Sequence, residues 1–297
     1  MPDRVVGVIP GVDLHRAVTT DRRAHRMTTT ENTELVEAWT AWHAERESLL
    51  LEPHGWLSLT SLHWLTAEPT TYPDLPGSWR ATDDGGVDIT AAAADGLEVD
   101  GVAVDGTVRI EPKDGQPGVL VTVGDRRVEV IRRTDTYALR VRDPQAITRT
   151  AFDGVPSYRV ESRWVVTGRY EPYPAPSPIT VDAVVEGLHH YFTAVGEVHF
   201  DLDGQPQTLV ALPGRDGGLS LHFRDGTSGQ ETYGGGRILK TDDPTEEGTL
   251  IVDLNRTVNL PCAFTAFATC PLPPAGNTVT VPVEAGERSP RRPDLGS

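Results

Sequence analysis

What most constrains this chain is an alternation of apolar residues with a period of two, which sets in beyond Trp79 and recurs in short runs almost to the C-terminus. Val99/Val102/Val104, Val108/Ile110, Val119/Val121/Val123, Val128/Val130 and Tyr137/Leu139/Val141 form the first group. Ile179 to Val185, Glu197 to Leu202, Gln207 to Leu212, Leu219 to Phe223, Thr249 to Leu254 and Thr278 to Val283 form the second. Successive side chains of a strand point to opposite faces, so this pattern buries one face and wets the other. Turn chemistry agrees: Asp105-Gly106 is a hairpin signal and Gly124-Asp125 resembles one. The chain holds 29 Gly and 24 Pro in 297 residues, a level that implies many turns without signalling disorder. Between the two groups, Pro172-Tyr-Pro-Ala-Pro-Ser-Pro178 breaks the pattern and is expected to act as a polyproline-like spacer, joining two subdomains or crossing the mouth of one barrel. The expected fold is mainly β: an antiparallel barrel or sandwich of about a dozen short strands, preceded by one N-terminal helix.

That helix is expected from Thr33. Leu35, Trp39, Trp42 and Leu49 recur at helical spacing, and Glu34, Glu37, Glu45 and Glu47 take the other faces. Thr33 is the expected N-cap, while Pro53 and Gly55 stop the helix. Trp39 and Trp42 read as core anchors, and His43 as a solvated side chain on the polar face. From Trp56 to Leu65 the pattern fits strand and helix alike. Residues 1–30 show no periodicity and read as an extension that adds little to the fold; Asp3, Asp13 and Asp21 argue against a targeting leader there. Residues 31–287 then form one β-rich domain, or two subdomains joined near 172–178, and residues 288–297 a frayed tail.

Acidic residues number 43 against 27 basic, a formal charge of −16, which disfavours nucleic acid and anionic membranes as partners. No apolar run reaches the length of a membrane helix, so a soluble, cytoplasmic protein is expected. No nucleotide-binding glycine fingerprint, phosphate-binding loop, nucleophile elbow or His-Glu-x-x-His motif is present, which leaves an organic cofactor unsupported. His189 and His190 are adjacent, hence on opposite faces of a strand, and only one of them can share a metal with His199.

Polar residues concentrate around turns between Phe223 and Glu287, the usual setting of a binding site at one end of a β scaffold. The order is Phe223-x-Asp225-x-Thr227-x-Gly229-x-x-Thr232-Tyr233-x-x-Gly236-Arg237, then Asp253-x-Asn255, Asn259-x-Pro261-Cys262, Thr269-Cys-Pro-Leu-Pro-Pro274 and Ala285-Gly-Glu287. With Gly55-Trp-Leu57, Arg140-Val-Arg-Asp143 and Phe152-Asp-Gly154 upstream, this series resembles the bacterial family known as domain of unknown function 1684, over about Leu35 to Glu287. Leu254 and Leu260 depart from its usual aromatic and proline. The resemblance implies a shared site without an assigned reaction.

Chemically, Arg237 suits an anion clamp, or a salt bridge to Asp225 or Asp253. Tyr233 suits a general acid or an orienting hydroxyl, or else a half-buried strand aromatic. Asp225, Tyr233 and Arg237 are the candidate catalytic residues. Thr232, Asn255, Asn259, Cys262, Cys270 and Glu287 are the candidate ligand contacts, and Glu284 can pair with Glu287 if Gly286 bends the chain. These loops are expected to converge on one concave face, with Asp225, Tyr233, Arg237 and Asn255 around a common ligand. Cys262 and Cys270 lie roughly 26 Å apart if extended, so any paired role requires the chain to fold back; a disulfide, metal ligation, a catalytic thiolate and two buried thiols all remain open. The function expected first is an enzyme acting on a polar or carboxylate metabolite by acid–base chemistry. A lipocalin-like carrier, suggested by Trp39, Trp42, Trp56 and Trp64, is the alternative, and a pocket free of charge would favour it.

Overall fold

The computed structural model describes residues 29–291. The expectations for the N-terminal extension, and for all but the first residues of the tail, lie outside the described residues.

Helix α1 spans Thr29–Leu50, so it begins four residues before the expected cap and Thr33 lies inside it. Glu31 sits in its first turn, where the helix dipole favours an anion. Pro53 cannot continue the helix, and the chain turns away through a hydrogen bond from Gly55 N to Glu52 O. Trp39 and Trp42 are only half-buried, whereas His43 is buried, its ring stacked 4.5 Å from that of Trp39 and its Nε2 3.2 Å from Ser157 Oγ. Both differ from the sequence expectation for one reason: the inward stripe of α1 carries polar atoms that meet polar partners.

Ten strands follow: β1 (Leu59–Trp64), β2 (Thr70–Tyr72), β3 (Leu75–Thr82), β4 (Gly86–Ala91), β5 (Leu97–Val99), β6 (Val102–Ala103), β7 (Gly106–Ile110), β8 (Val119–Val123), β9 (Arg126–Arg133) and β10 (Thr136–Arg142). They pair antiparallel into a six-stranded sheet, β1-β10-β9-β8-β5-β6, and a four-stranded sheet, β2-β3-β4-β7. Gly124-Asp125 closes the β8–β9 hairpin, with Val123 opposite Arg126. Asp105-Gly106 does not close one. The two-residue turn is Asp100-Gly101, both at positive φ, joining β5 to β6, and Gly106 instead carries the chain across to pair with β4. Trp79, Val87, Ile89, Leu97, Val121, Val128 and Leu139 from the two sheets make a first buried core.

The remaining strands are β11 (Val165–Asp182), β12 (His189–Leu202), β13 (Gln205–Pro213), β14 (Leu219–Phe223), β15 (Arg237–Thr241), β16 (Thr249–Asp253) and β17 (Val258–Asn259), ordered β16-β11-β12-β13-β14-β15-β17 in one sheet. Trp164, Val198, Leu209, Leu221, Phe223 and Val252 form a second core, roofed by Val279, Val281, Val283 and Ala285. The fold is therefore mainly β and antiparallel, a sandwich whose sheets do not close into a barrel.

Two local expectations are corrected. The proline run is no spacer, because it lies inside the 18-residue β11. Prolines at every second position place their missing N–H groups on one edge of an extended chain, which is tolerated where that edge is unpaired or the strand bulges. β16 flanks β11 only from Val165 to Arg169, and the register with β12 shifts between Pro172 and Ser177. Thr278 to Val283 is not a strand either. Its alternate residues are buried, but it lies across the second core with a single bridge, Arg224 to Thr278, so its backbone must find other partners.

Candidate functional site

Those partners are the motif residues. Arg237 opens β15 with a fully buried side chain, and its guanidinium reaches four acceptors. Nη1 donates to Ala285 O at 2.5 Å and Glu287 O at 2.9 Å; Nη2 donates to Val283 O at 2.8 Å and Asp225 Oδ2 at 3.0 Å. The other oxygen of Asp225 accepts from Thr227 N and Thr227 Oγ1, both at 2.7 Å, and from Val283 N at 3.1 Å. Thr232 Oγ1 lies 2.8 Å from Thr227 Oγ1. Burial lowers the Arg237 pKa, against the opposing pull of Asp225. The cluster is a buried ion pair that stands in for a β-ladder, holding the roofing segment by its carbonyls through both Nη atoms, while Arg237 Nε is buried without a hydrogen-bond partner.

A second group ties α1 to the same segment. Glu287 is 1 % exposed, its Oε1 receiving Arg46 Nε at 3.2 Å and its Oε2 receiving Asn259 N at 2.7 Å. Asn259 donates through Nδ2 to Arg288 O, and its carbonyl accepts from Arg46 Nη2. Asn255 commits its amide to Glu161 and Asp253, while its carbonyl accepts Trp39 Nε1 at 2.7 Å. Burial raises the pKa of Asp253, opposed by the bonds from Asn255. Glu284 is exposed and sits 4.0 Å from Arg163 rather than beside Glu287.

Tyr233 is half-buried between two apolar clusters: Leu50, Val155 and Phe264 on one side, Cys262, Ala268 and Cys270 on the other. The cysteines do fold back on each other. Cys262 N donates to Cys270 Sγ at 3.2 Å and Cys270 N to Cys262 Sγ at 3.0 Å, with both residues buried. A hydrogen bond from the Cys262 side chain, together with burial, pushes the Cys270 thiol far above its ordinary value, so neither geometry nor charge favours a thiolate nucleophile.

Beside the cysteines lies a group for which the sequence offered motif membership but no role. Arg140 and Arg142 project from one face of β10, each over the ring of Trp56 at 5.5 and 5.0 Å. Arg140 Nη2 donates to Thr269 Oγ1 at 2.8 Å, and Arg142 Nη1 donates to the carbonyls of His54 and Gly55. Both share Glu129 Oε2, at 3.6 and 2.7 Å. Burial pushes the Glu129 carboxyl up, but Arg142 and Arg140 together pull it below its usual value. Arg140 Nε is buried without a hydrogen-bond partner.

Two clefts of ligand size open on the sheet of the second core. One, of about 450 Å³, crosses β11–β13 at Arg169, His199, Asp201 and Gln207. The other, of about 600 Å³, lies between the bulged half of β11 and Pro274–Ala275, lined by Tyr173, Ile179, Val181, Ala194 and Val210 and by no charged side chain. None of the nine residues expected at the site lines either cleft. Asp225, Thr232 and Arg237 meet around the roofing segment, Asn259 joins Glu287, Asn255 is engaged at Glu161, and the cysteines form their own pair. Partners such as Trp39, Arg46 and Glu161 escaped the sequence because nothing in local spacing links positions more than ninety residues apart. The period-two prolines were the one available signal of the larger cleft.

Residues 150–288 match the family described as "Protein of unknown function (DUF1684)". Over that stretch, a little under half of the chain, the sequence is similar to the family. The match takes in the whole seven-stranded sheet and the roofing segment, whereas Gly55-Trp-Leu57 and Arg140-Val-Arg-Asp143 lie outside it. Among solved structures, the solution NMR structure of an uncharacterized protein from Haloarcula marismortui is 29% identical, covering 50% of this chain and 81% of that one, with a TM-score of 0.40. No curated protein matches the chain. The match brings no reaction with it. No helix among the described residues is long and apolar enough to cross a membrane, and among them no group of three or more His, Cys, Asp or Glu is placed to hold a metal.

Proposed function

We propose that this protein binds a small, largely apolar molecule in the cleft between the bulged half of β11 and Pro274–Ala275, and that the DUF1684 polar motif builds the wall of that fold rather than a catalytic centre. The observation carrying this reading is the contrast between the two regions. The acid–base candidates spend their hydrogen bonds on protein, Asp225 through four and Arg237 through four. The uncommitted volume, about 600 Å³, is lined without charge. Small-molecule sites commonly measure about 300–1,000 Å³ and are mostly apolar with a few polar groups. Here those groups are Ser177, Thr180 and the Tyr173 hydroxyl, which donates to Glu197 at 3.1 Å. Because the sheets do not close, the site is a cleft on a sheet face, not the interior of a lipocalin-like barrel.

A thermal-shift screen with a library of uncharged and weakly acidic small molecules tests this. A ligand at a hundred times its dissociation constant adds about 2.7 kcal/mol. Hits are expected to lose their shift in Val210→Trp, which fills the cleft from β13, with the unliganded melting temperature little changed. Hits that keep their full shift in that variant would place binding elsewhere and end this reading. One observation favours a second reading, in which a carboxylate ligand is held beside Trp56: Arg140 and Arg142 face the single carboxylate of Glu129, and Arg140 Nε is unpartnered. Hits lost in Arg140→Gln but kept in Val210→Trp would select it.

A further inference from the structure

The cysteine pair has no part in the cleft or in the ion-pair network, yet its geometry is the most specific in the molecule. The chain between the two residues leaves β17, turns through Pro261–Ala263, and returns by Thr265, whose Oγ1 accepts Phe267 N at 3.1 Å. Each cysteine nitrogen then sits within 3.2 Å of the other cysteine's sulfur. A backbone nitrogen lies about 1.5 Å from its own Cα, so each sulfur is within roughly 4.7 Å of the opposite Cα. Bridged cysteines place their Cα atoms about 4.4–6.8 Å apart, so each sulfur already lies within the span of a bridge.

The geometry points to Cys262 and Cys270 as a reversible two-electron redox site, whose disulfide pins the proline-rich segment after Cys270 to the end of β17. The reaction needs an oxidant of the low-molecular-weight disulfide class. One protein thiolate attacks a sulfur of that disulfide and expels one thiol, and the second protein thiolate then attacks the first cysteine's sulfur and expels the other. In sum, two protein thiols and one small disulfide become one protein disulfide and two small thiols. The raised pKa of the Cys270 thiol, set by the hydrogen bond from Cys262 and by burial, makes its attack slow at neutral pH and faster in base.

The segment that the bridge would pin is a wall of the cleft. Cys270 O accepts Val184 N at 2.9 Å, Pro271 bridges Ala183, and Leu272 N donates to Asp182 O at 2.7 Å, zipping residues 270–272 to the end of β11. Two residues further on, Pro274 and Ala275 line the cleft. Oxidation therefore shortens the tether of that wall. Any effect on ligand affinity rests on the cleft reading above; the chemistry of the pair does not.

The experiment incubates the full chain with oxidised glutathione, once folded at mildly alkaline pH and once during refolding, and follows intact mass, alkylatable thiols in denaturant, and amide hydrogen exchange. Expected are the loss of two hydrogens in mass with no glutathione retained, the disappearance of both thiols, and their return with reductant. Exchange at Leu272 and Val184 should slow about tenfold and the melting temperature should rise by about 5 °C, as a short closed loop implies. Retained glutathione, an intermolecular dimer, two thiols surviving both treatments, or unchanged exchange at those two amides would each overturn the proposal. Cys262→Ala/Cys270→Ala, which removes two small buried side chains, should show no response to the oxidant. A disulfide that forms in a protein that binds nothing in the cleft would refute the ligand reading alone and leave the redox site standing.

Discussion

Replacing Arg237 by methionine separates a structural clamp from a catalytic cation. Methionine keeps most of the side-chain length, so the loss is electrostatic: three carbonyls and Asp225 Oδ2 lose their donors in a region with no access to water. Removing one partner of a buried ion pair costs about 3–5 kcal/mol, because the remaining charge is stranded. Three orphaned carbonyls push towards the upper end, and relaxation of the 283–287 segment towards solvent pulls back, so about 4 kcal/mol is expected. With a urea m-value of about 2 kcal/mol/M, the unfolding midpoint of the second core moves down by roughly 2 M. Asp225→Asn keeps the shape and removes the charge, and should cost about 2–3 kcal/mol. The double variant Asp225→Asn/Arg237→Met strands no charge and should fall short of the sum of the singles by about 2 kcal/mol, the sign of a direct interaction. Far-UV circular dichroism during urea titration measures all three. A midpoint for Arg237→Met corresponding to less than about 1 kcal/mol would refute the clamp, since only a solvated or functional arginine can be removed so cheaply.

Burial lowers the pKa of His222 to about 4, against a hydrogen bond from its ring to the backbone of Gly235 that raises it and with Arg224 adding to the fall. The unfolded chain binds this proton near pH 6.5 and the folded one only near 4, so the stability His222 allows is present above about pH 6.5 and is lost as pH falls towards 4, by about 3 kcal/mol in all. His222→Gln should flatten the stability profile across that window, and an unchanged slope would count against the assignment. Arg46→Met leaves Glu287 with one donor and should lower stability by about 1–3 kcal/mol in thermal unfolding, whereas a neutral result would mean that α1 is not held there. Gly286 has φ +71°, and a Cβ there would meet Thr257 O at 2.4 Å, so Gly286→Ala should cost more than about 2 kcal/mol, readable as a fall in urea midpoint.

The sequence was most legible where local rules agree with the tertiary outcome. The alternation at Val119/Val121/Val123 and Val128/Val130, closed by Gly124-Asp125, became β8 and β9 in the register their spacing dictates. It was least legible where one local signal had two physical solutions. Prolines from 172 to 178 break a strand paired on both edges but not one with a free edge, and sequence does not tell how many neighbours a strand has. Val279, Val281 and Val283 alternate as a strand does, yet burial alone fixes the alternation; whether a ladder forms depends on what lies beside it. His43 fell on the helix face that spacing marked as polar, and only the arrival of Ser157 from 114 positions away makes it an inward residue. The same limit governs the site. Asp225, Thr232, Arg237, Asn259 and Glu287 were identifiable as a polar set, but whether such a set faces a ligand or its own backbone depends on the chain that passes over it.

A segment laid across a sheet instead of along its edge has a definite chemical need, and the polar motif around Arg237 meets it. Residues 279–285 bury alternate side chains, so their carbonyls face sideways with no strand to receive them, and Pro282 removes one amide donor as well. Lysine would offer a compact ammonium that cannot span several carbonyls, while the planar fork of arginine presents donors in two directions at once. Arg237 thereby serves Val283, Ala285 and Glu287 at intervals of two residues, the repeat of an extended chain. Its charge needs a buried counterion, which Asp225 supplies; Asp225 in turn needs its second oxygen filled, which Thr227 and Val283 N do. Each residue of the motif thus follows from the one before, beginning with a roof that has no ladder. That chain of necessity also explains why the motif looks catalytic from sequence: an enzyme site and a backbone clamp both demand paired charges, hydroxyls and glycine turns, and they differ in whether an acceptor is left over for a substrate. At Asp225 none is, whereas the uncharged cleft beside Pro274 leaves its volume free for a ligand.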